Sequence, residues 1–145
     1  MSYWGDRRDD LESAYPTCTS FLKFHPEYRD GLIEHIRCGI VILYAAWPGP
    51  SVVRFKFACY AVEDSVPWDL FTFDVVDFDG LKPGNPFETH EKLGGYGEAF
   101  WIHSGKILKS MGSEWANDRF NQFTQELLQA EQGGGGNSAV LRASP

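Results

Sequence analysis

Ile40-Val-Ile-Leu-Tyr-Ala-Ala-Trp47 is apolar at every position, and no other segment limits the fold as tightly. A strand with one wet face alternates polar and apolar residues. An unbroken apolar strand must be covered on both faces, as in a parallel sheet. Pro48-Gly49-Pro50-Ser51 then turns the chain. Over residues 51–64, Val52, Phe55, Cys59 and Val62 fall on one helical stripe. A second strand is predicted from Leu70 to Phe78, with Phe71, Phe73 and Val75 on one side and Leu70, Thr72, Val76 and Phe78 on the other. Strand, helix and strand in this order predict a right-handed parallel crossover.

The flanking segments complete a single-domain plan. Residues 1–15 are polar and without period, which predicts a flexible arm. Phe21, Leu22, Leu32, Ile33 and Ile36 predict two short helices, about 17–24 and 26–37, on either side of His25-Pro26. Residues 80–97 read as loop around a short helix at about 87–93. Ala99–His103 and Lys106–Met111 read as strands joined at Ser104-Gly105, a hairpin signal. Ala116, Phe120, Phe123 and Leu127 stripe a final helix ending near Gln132, before Gly133–Gly136 and a disordered tail. The expected architecture is an α/β domain over residues 16–132. Its central mixed sheet has four strands, two parallel plus an antiparallel C-terminal hairpin, with helices on both faces.

Composition removes several function classes. The 145 residues carry 13 Lys+Arg against 20 Asp+Glu, a net charge of −7, which argues against a nucleic-acid-coating protein. No run of 18 apolar residues predicts a membrane helix, and the start lacks the apolar stretch of a secretory signal. Cys18, Cys38 and Cys59 are odd in number and match no metal or redox spacing. This predicts reduced cysteines in the cytoplasm. Cys59 lies on the apolar stripe of its helix, as an inert core residue or a redox centre, and Cys38 is expected near the edge of the sheet. Asp74, Asp77 and Asp79 sit near a strand end as a weak cation site or as turn-forming groups. His25, His35, His90 and His103 show no zinc-ligand spacing, so no metal or cofactor is expected.

Val41-Ile-Leu-Tyr-Ala-Ala-Trp-Pro-Gly-Pro-Ser51 resembles the signature of the thioredoxin family, an apolar strand entering Trp-Cys-Gly-Pro-Cys at a helix start. Gly97-Glu-Ala-Phe-Trp-Ile-His-Ser-Gly-Lys-Ile107 is similar to that family's cis-proline strand and hairpin, and Gly112 with the last helix resembles its end. The likeness covers roughly 90 residues, about Cys38 to Leu128. The resemblance implies a dithiol site, and this chain departs from it at each working position. The nucleophilic cysteine falls at Pro48, the resolving cysteine at Ser51, the buried acid at about Ile42 and the cis-proline at about Gly97. Thiol–disulfide exchange requires an attacking thiolate, which proline cannot supply.

These departures predict a redox-inactive domain with no catalytic residues. Trp47, Pro48, Gly49, Pro50, Ser51, Gly97 and Glu98 form its degenerate site. Ser51 reads as a helix N-cap or as a hydroxyl donor to a bound thiolate, and Glu98 as a carboxylate facing the helix start. Trp47, Phe57 and Tyr60 are the candidate surface for a protein or peptide, unless the N-terminal arm or the 80–97 loop covers them. A homodimer through the same helix is a further possibility. The alternative function is a thiol-handling enzyme, glutathione-transferase-like or a weak reductase, using Ser51 or a displaced cysteine.

Overall fold

The computed structural model describes residues 22–45, 49–63 and 65–134. The arm at 1–15 and the tail at 137–145 therefore lie outside the described residues. Seven principal elements follow in order: β1 (Leu22–His25), β2 (Cys38–Tyr44), α1 (Gly49–Glu63), β3 (Thr72–Asp77), β4 (Ala99–His103), β5 (Lys106–Met111) and α2 (Asn117–Gly134). The sheet runs β1-β3-β2-β4-β5. β1, β3 and β2 are parallel, and β4 and β5 continue the sheet antiparallel.

β2 is buried along its whole length. Ile40, Ile42 and Tyr44 point to the layer holding Phe55, Ala58 and Val62 of α1 and Phe120 and Leu127 of α2. Val41 and Leu43 point to the opposite layer, with Tyr28, Ile33, Ile36 and Phe87. Two apolar faces explain the unbroken apolar run, because a two-residue period sends neighbours to opposite sides. β3 divides in the same way, with Phe73 and Val75 on one side and Val76 on the other.

The structure corrects the expected plan in three places. The sheet has five strands, because Leu22–His25 is a strand and not the end of a helix. Leu22 and Phe24 alternate onto the α1 side, while the His25 imidazole bonds the buried Asp74 carboxylate at 2.7 Å on the other. A four-residue strand is too short for its alternation to be told from a helical turn. Second, residues 26–37 form only the 3-10 turn Ile33–His35, and residues 87–93 reduce to another at Pro86–Thr89. Gly31, in the left-handed region with a φ of 90°, interrupts the first segment and leaves it too short for an α-helix. Among the described residues, both α-helices therefore pack on one face, and short turns lie on the other. Third, α2 runs on to Gly134, two residues beyond the expected glycine stop.

The hairpin forms where expected. Ser104 and Gly105 both have positive φ, 51° and 78°, as a two-residue turn matched to strand twist requires. Their amides donate to Arg37 and Ile36 carbonyls at 2.7 and 2.8 Å, tying the turn to the chain entering β2. α2 is fixed to the sheet by Trp101, whose ring packs against Phe120 and Phe123 while its Nε1 donates to Thr124 Oγ1 at 3.0 Å.

Gly39 shows how closely β2 and β3 approach. A Cβ there would overlap the Thr72 hydroxyl and its backbone carbonyl oxygen. The carbonyl is part of the strand and cannot swing away, so the strands must part. Gly39→Ala is expected to lower stability by about 2 kcal/mol, read as an earlier urea midpoint at unchanged m-value.

Candidate functional site

The segment Pro48-Gly-Pro-Ser51 falls where β2 ends and α1 begins. Trp47 and Pro48 lie outside the described residues. Gly49 and Pro50 open α1, and Ser51 sits one residue further in with no exposed surface. Ser51 is not the expected N-cap. Its Oγ accepts the Ala45 amide at 2.8 Å, joining the end of β2 to the first turn of α1. A fully buried hydroxyl held in this way is closed to a ligand.

Gly97 meets the same turn from the other side. Its φ is +86°, and a Cβ would come within 3.1 Å of Ser51 Cα and 3.3 Å of Arg54 Cβ. The described residues contain no cis peptide bond. Where a cis-proline would turn the chain, a trans glycine in the left-handed region passes close to the helix. Glu98 follows with no exposed surface. One carboxylate oxygen accepts the Gly94 amide at 2.8 Å, and the other, Oε1, has no hydrogen-bond partner among the described residues. Its backbone carbonyl accepts the Leu43 amide at 2.9 Å, holding this segment beside β2.

Arg54 links this turn to the entry of α2. Its guanidinium donates to the Gly112 carbonyl at 2.8 Å and the Ser113 carbonyl at 3.0 Å, and lies 5.1 Å from the Trp115 ring centroid. Burial lowers its pKa, and the Glu98 and Glu114 carboxylates oppose that shift. Arg54, Pro50, Val53, Phe57, Trp115 and Asn117 line an open groove of about 390 Å3. The Trp115 indole is braced by Nε1 donating to Asn117 Oδ1 at 2.9 Å and by Phe120, 5.2 Å away. Phe57 is half-buried beneath it, edge-on to both Trp115 and Phe120. Val53 and Tyr60 are 66% and 61% exposed and continue the apolar strip along α1.

The structure thus brings Gly49, Pro50, Ser51 and Gly97 together, with Arg54 spanning from the same turn to the start of α2. Phe57 proves to be a wall rather than a projecting contact, and Tyr60 is the exposed one of the pair. Sequence reasoning missed Arg54, Trp115 and Asn117. Trp115 belongs to no core stripe and stands just ahead of a helix start, which was the available signal.

The cysteines differ from expectation. Cys38 is not near the edge: it opens the central strand, is 1% exposed, and burial pushes its thiol up to about 11, with Glu131 adding to the shift and Arg37 opposing it. Cys59 is disulfide-bonded rather than reduced, and Cys38 is the free cysteine among the described residues. Spacing along the chain carries no information on which cysteines meet in space. Asp77 accepts the Asp79 amide at 3.0 Å in a turn, and Asp74 pairs with His25. Among the described residues, no cluster of His, Cys, Asp or Glu has the grouping of a metal site, and no helix is long and apolar enough to cross a membrane.

No protein-family model matches the chain. No curated protein matches it by sequence. Solved structures do. Mitochondrial thioredoxin 3 from Saccharomyces cerevisiae superposes with a TM-score of 0.57 at 15% identity, over 77% of this chain and 99% of that one. Thioredoxin from Schistosoma mansoni gives 0.54 at 18% identity, over 74% and 95%. Thioredoxin from Malassezia sympodialis gives 0.57 at 12%, over 73% and 90%. With the parallel β1-β3-β2 half, the antiparallel hairpin and the helix start at Gly49, these matches establish that the chain has the thioredoxin fold.

Proposed function

We propose that this protein is a redox-inactive thioredoxin-fold module that binds a protein or peptide beside its degenerate motif. The observation that carries the reading is the groove between α1 and the start of α2, where apolar walls from Pro50, Val53, Phe57 and Trp115 stand next to the replaced dithiol. A half-buried aromatic flanked by a cation is the composition from which binding hot spots are built. Arg54 already has its donors on two carbonyls, so it supports Trp115 and offers the groove its aliphatic stem. The natural occupant is an apolar side chain carried on an extended peptide. The thiol-handling alternative is not favoured, because Ser51 is buried with its oxygen on the Ala45 amide, and Cys38 is buried and protonated at neutral pH.

Two measurements test this reading. A peptide selected from a display library against the folded protein is expected to lose at least about tenfold in affinity to Trp115→Ala and to Val53→Asp. A selected peptide that binds both variants as tightly as the parent would place the site elsewhere.

In an insulin-reduction assay with dithiothreitol, the protein is expected to leave the rate at its uncatalysed value. Native Cys38 is expected to stay unreactive toward a thiol reagent up to about pH 9, since a thiol with a raised pKa holds its proton there. Catalytic turnover of insulin would end the redox-inactive reading.

A further inference from the structure

The side chains lining the groove beside Trp115 offer hydrogen-bond donors but no open acceptor. Asn117 is the one lining side chain with an acceptor, and its Oδ1 takes Trp115 Nε1 at 2.9 Å. That bond leaves the two N–H groups of Asn117 Nδ2 without a partner among the described residues, on an exposed side chain. Backbone acceptors are occupied too. On the α1 wall, helical carbonyls are spent on amides one turn ahead. On the other wall, the Gly112 and Ser113 carbonyls accept the Arg54 guanidinium.

An extended peptide laid in such a groove buries its own N–H groups, and a buried N–H with no acceptor opposes binding. Proline has no N–H, yet its carbonyl is a full acceptor. Building on the peptide-binding reading above, we propose that the groove takes a proline-rich segment in the polyproline II conformation, with basic residues flanking the prolines.

Dimensions and charge support this occupant. Pro50, Val53 and Phe57 stand at positions i, i+3 and i+7 of α1, so the groove runs about 10 Å along the helix. One polyproline II turn covers about 9 Å in three residues, and prolines three apart share an edge. Two such rings match the length of the wall. Trp115 and Phe57 supply aromatic surface for them, and the segment is already extended in solution, so little order is lost on docking. Asn117 Nδ2 is placed to donate to a peptide carbonyl. Arg54 lies 5.1 Å from the Trp115 ring centroid and keeps a second cation off that ring. Beyond the groove the preference reverses, because a net charge of −7 draws basic flanks toward the protein.

The test titrates the full chain with a probe of nine prolines carrying two arginines at each end, and with the same probe made with alanine at every proline. The proline probe is expected to bind at least about tenfold tighter and to shift the Trp115 indole and Asn117 side-chain amide resonances. Trp115→Ala should abolish the preference for proline. Asn117→Asp keeps the acceptor that braces the indole and deletes the donor. At raised salt, which screens the added charge, it should weaken the proline probe about fivefold. If the alanine probe binds as tightly while shifting Trp115, proline recognition is refuted and the groove remains a peptide site. Trp115 and Asn117 resonances unmoved by the proline probe refute it equally. A dimer that Trp115→Ala splits, seen by light scattering, assigns the groove to a second copy and overturns the proposal. Display-selected peptides that ignore both Trp115→Ala and Val53→Asp overturn the peptide-binding reading itself.

Discussion

The complete burial of β2 is the constraint from which the rest of the structure follows. Its edges are taken by β3 and β4, and its faces by two separate apolar layers. A strand enclosed in this way tolerates no polar side chain, and Ile40 to Tyr44 carry none toward either layer that lacks an apolar body. Gly39 lets β3 approach where a Cβ would strike the Thr72 backbone. The direction in which β2 leaves the sheet then sets the start of α1, and the Ala45 amide fastens that start through Ser51.

The candidate site inherits its geometry from this chain of contacts. Because α1 begins at Gly49 and Gly97 passes within close contact of Ser51, the first turn of the helix is enclosed on its inner side. Its outer side is left to Val53 and to the groove walls. Arg54 reaches from that turn to the carbonyls of Gly112 and Ser113, which places the entry of α2, and with it Trp115, beside α1. The residues that shape the groove are thus mainly those that connect the two helices.

Much of the central architecture was legible in the sequence. β4 and β5 occupy the expected residues, β2, β3, α1 and α2 lie within a few residues of theirs, and the hairpin turn falls on Ser104-Gly105. These elements are long enough for period to be read, or are marked by turn residues whose backbone preference is local. β1 was not legible, because Leu22–His25 is too short to show a period and is a strand only by virtue of lying against β3. Nor were the partners of Asp74 and Cys59. Asp74 is answered by a histidine 49 positions away, and the disulfide joins residues that spacing does not relate.

The sequence by itself determined the crossover, the two-faced burial of its strands and the absence of a Cys-x-x-Cys at the start of the first helix, for each is a matter of residue type at fixed local spacing. Tertiary structure alone decided that α1 and α2 share one face, that Ser51 turns inward to Ala45, and that Arg54, Phe57 and Trp115 line one groove. Those outcomes depend on distances between segments remote in the chain. Packing sets such distances, and no local pattern encodes them.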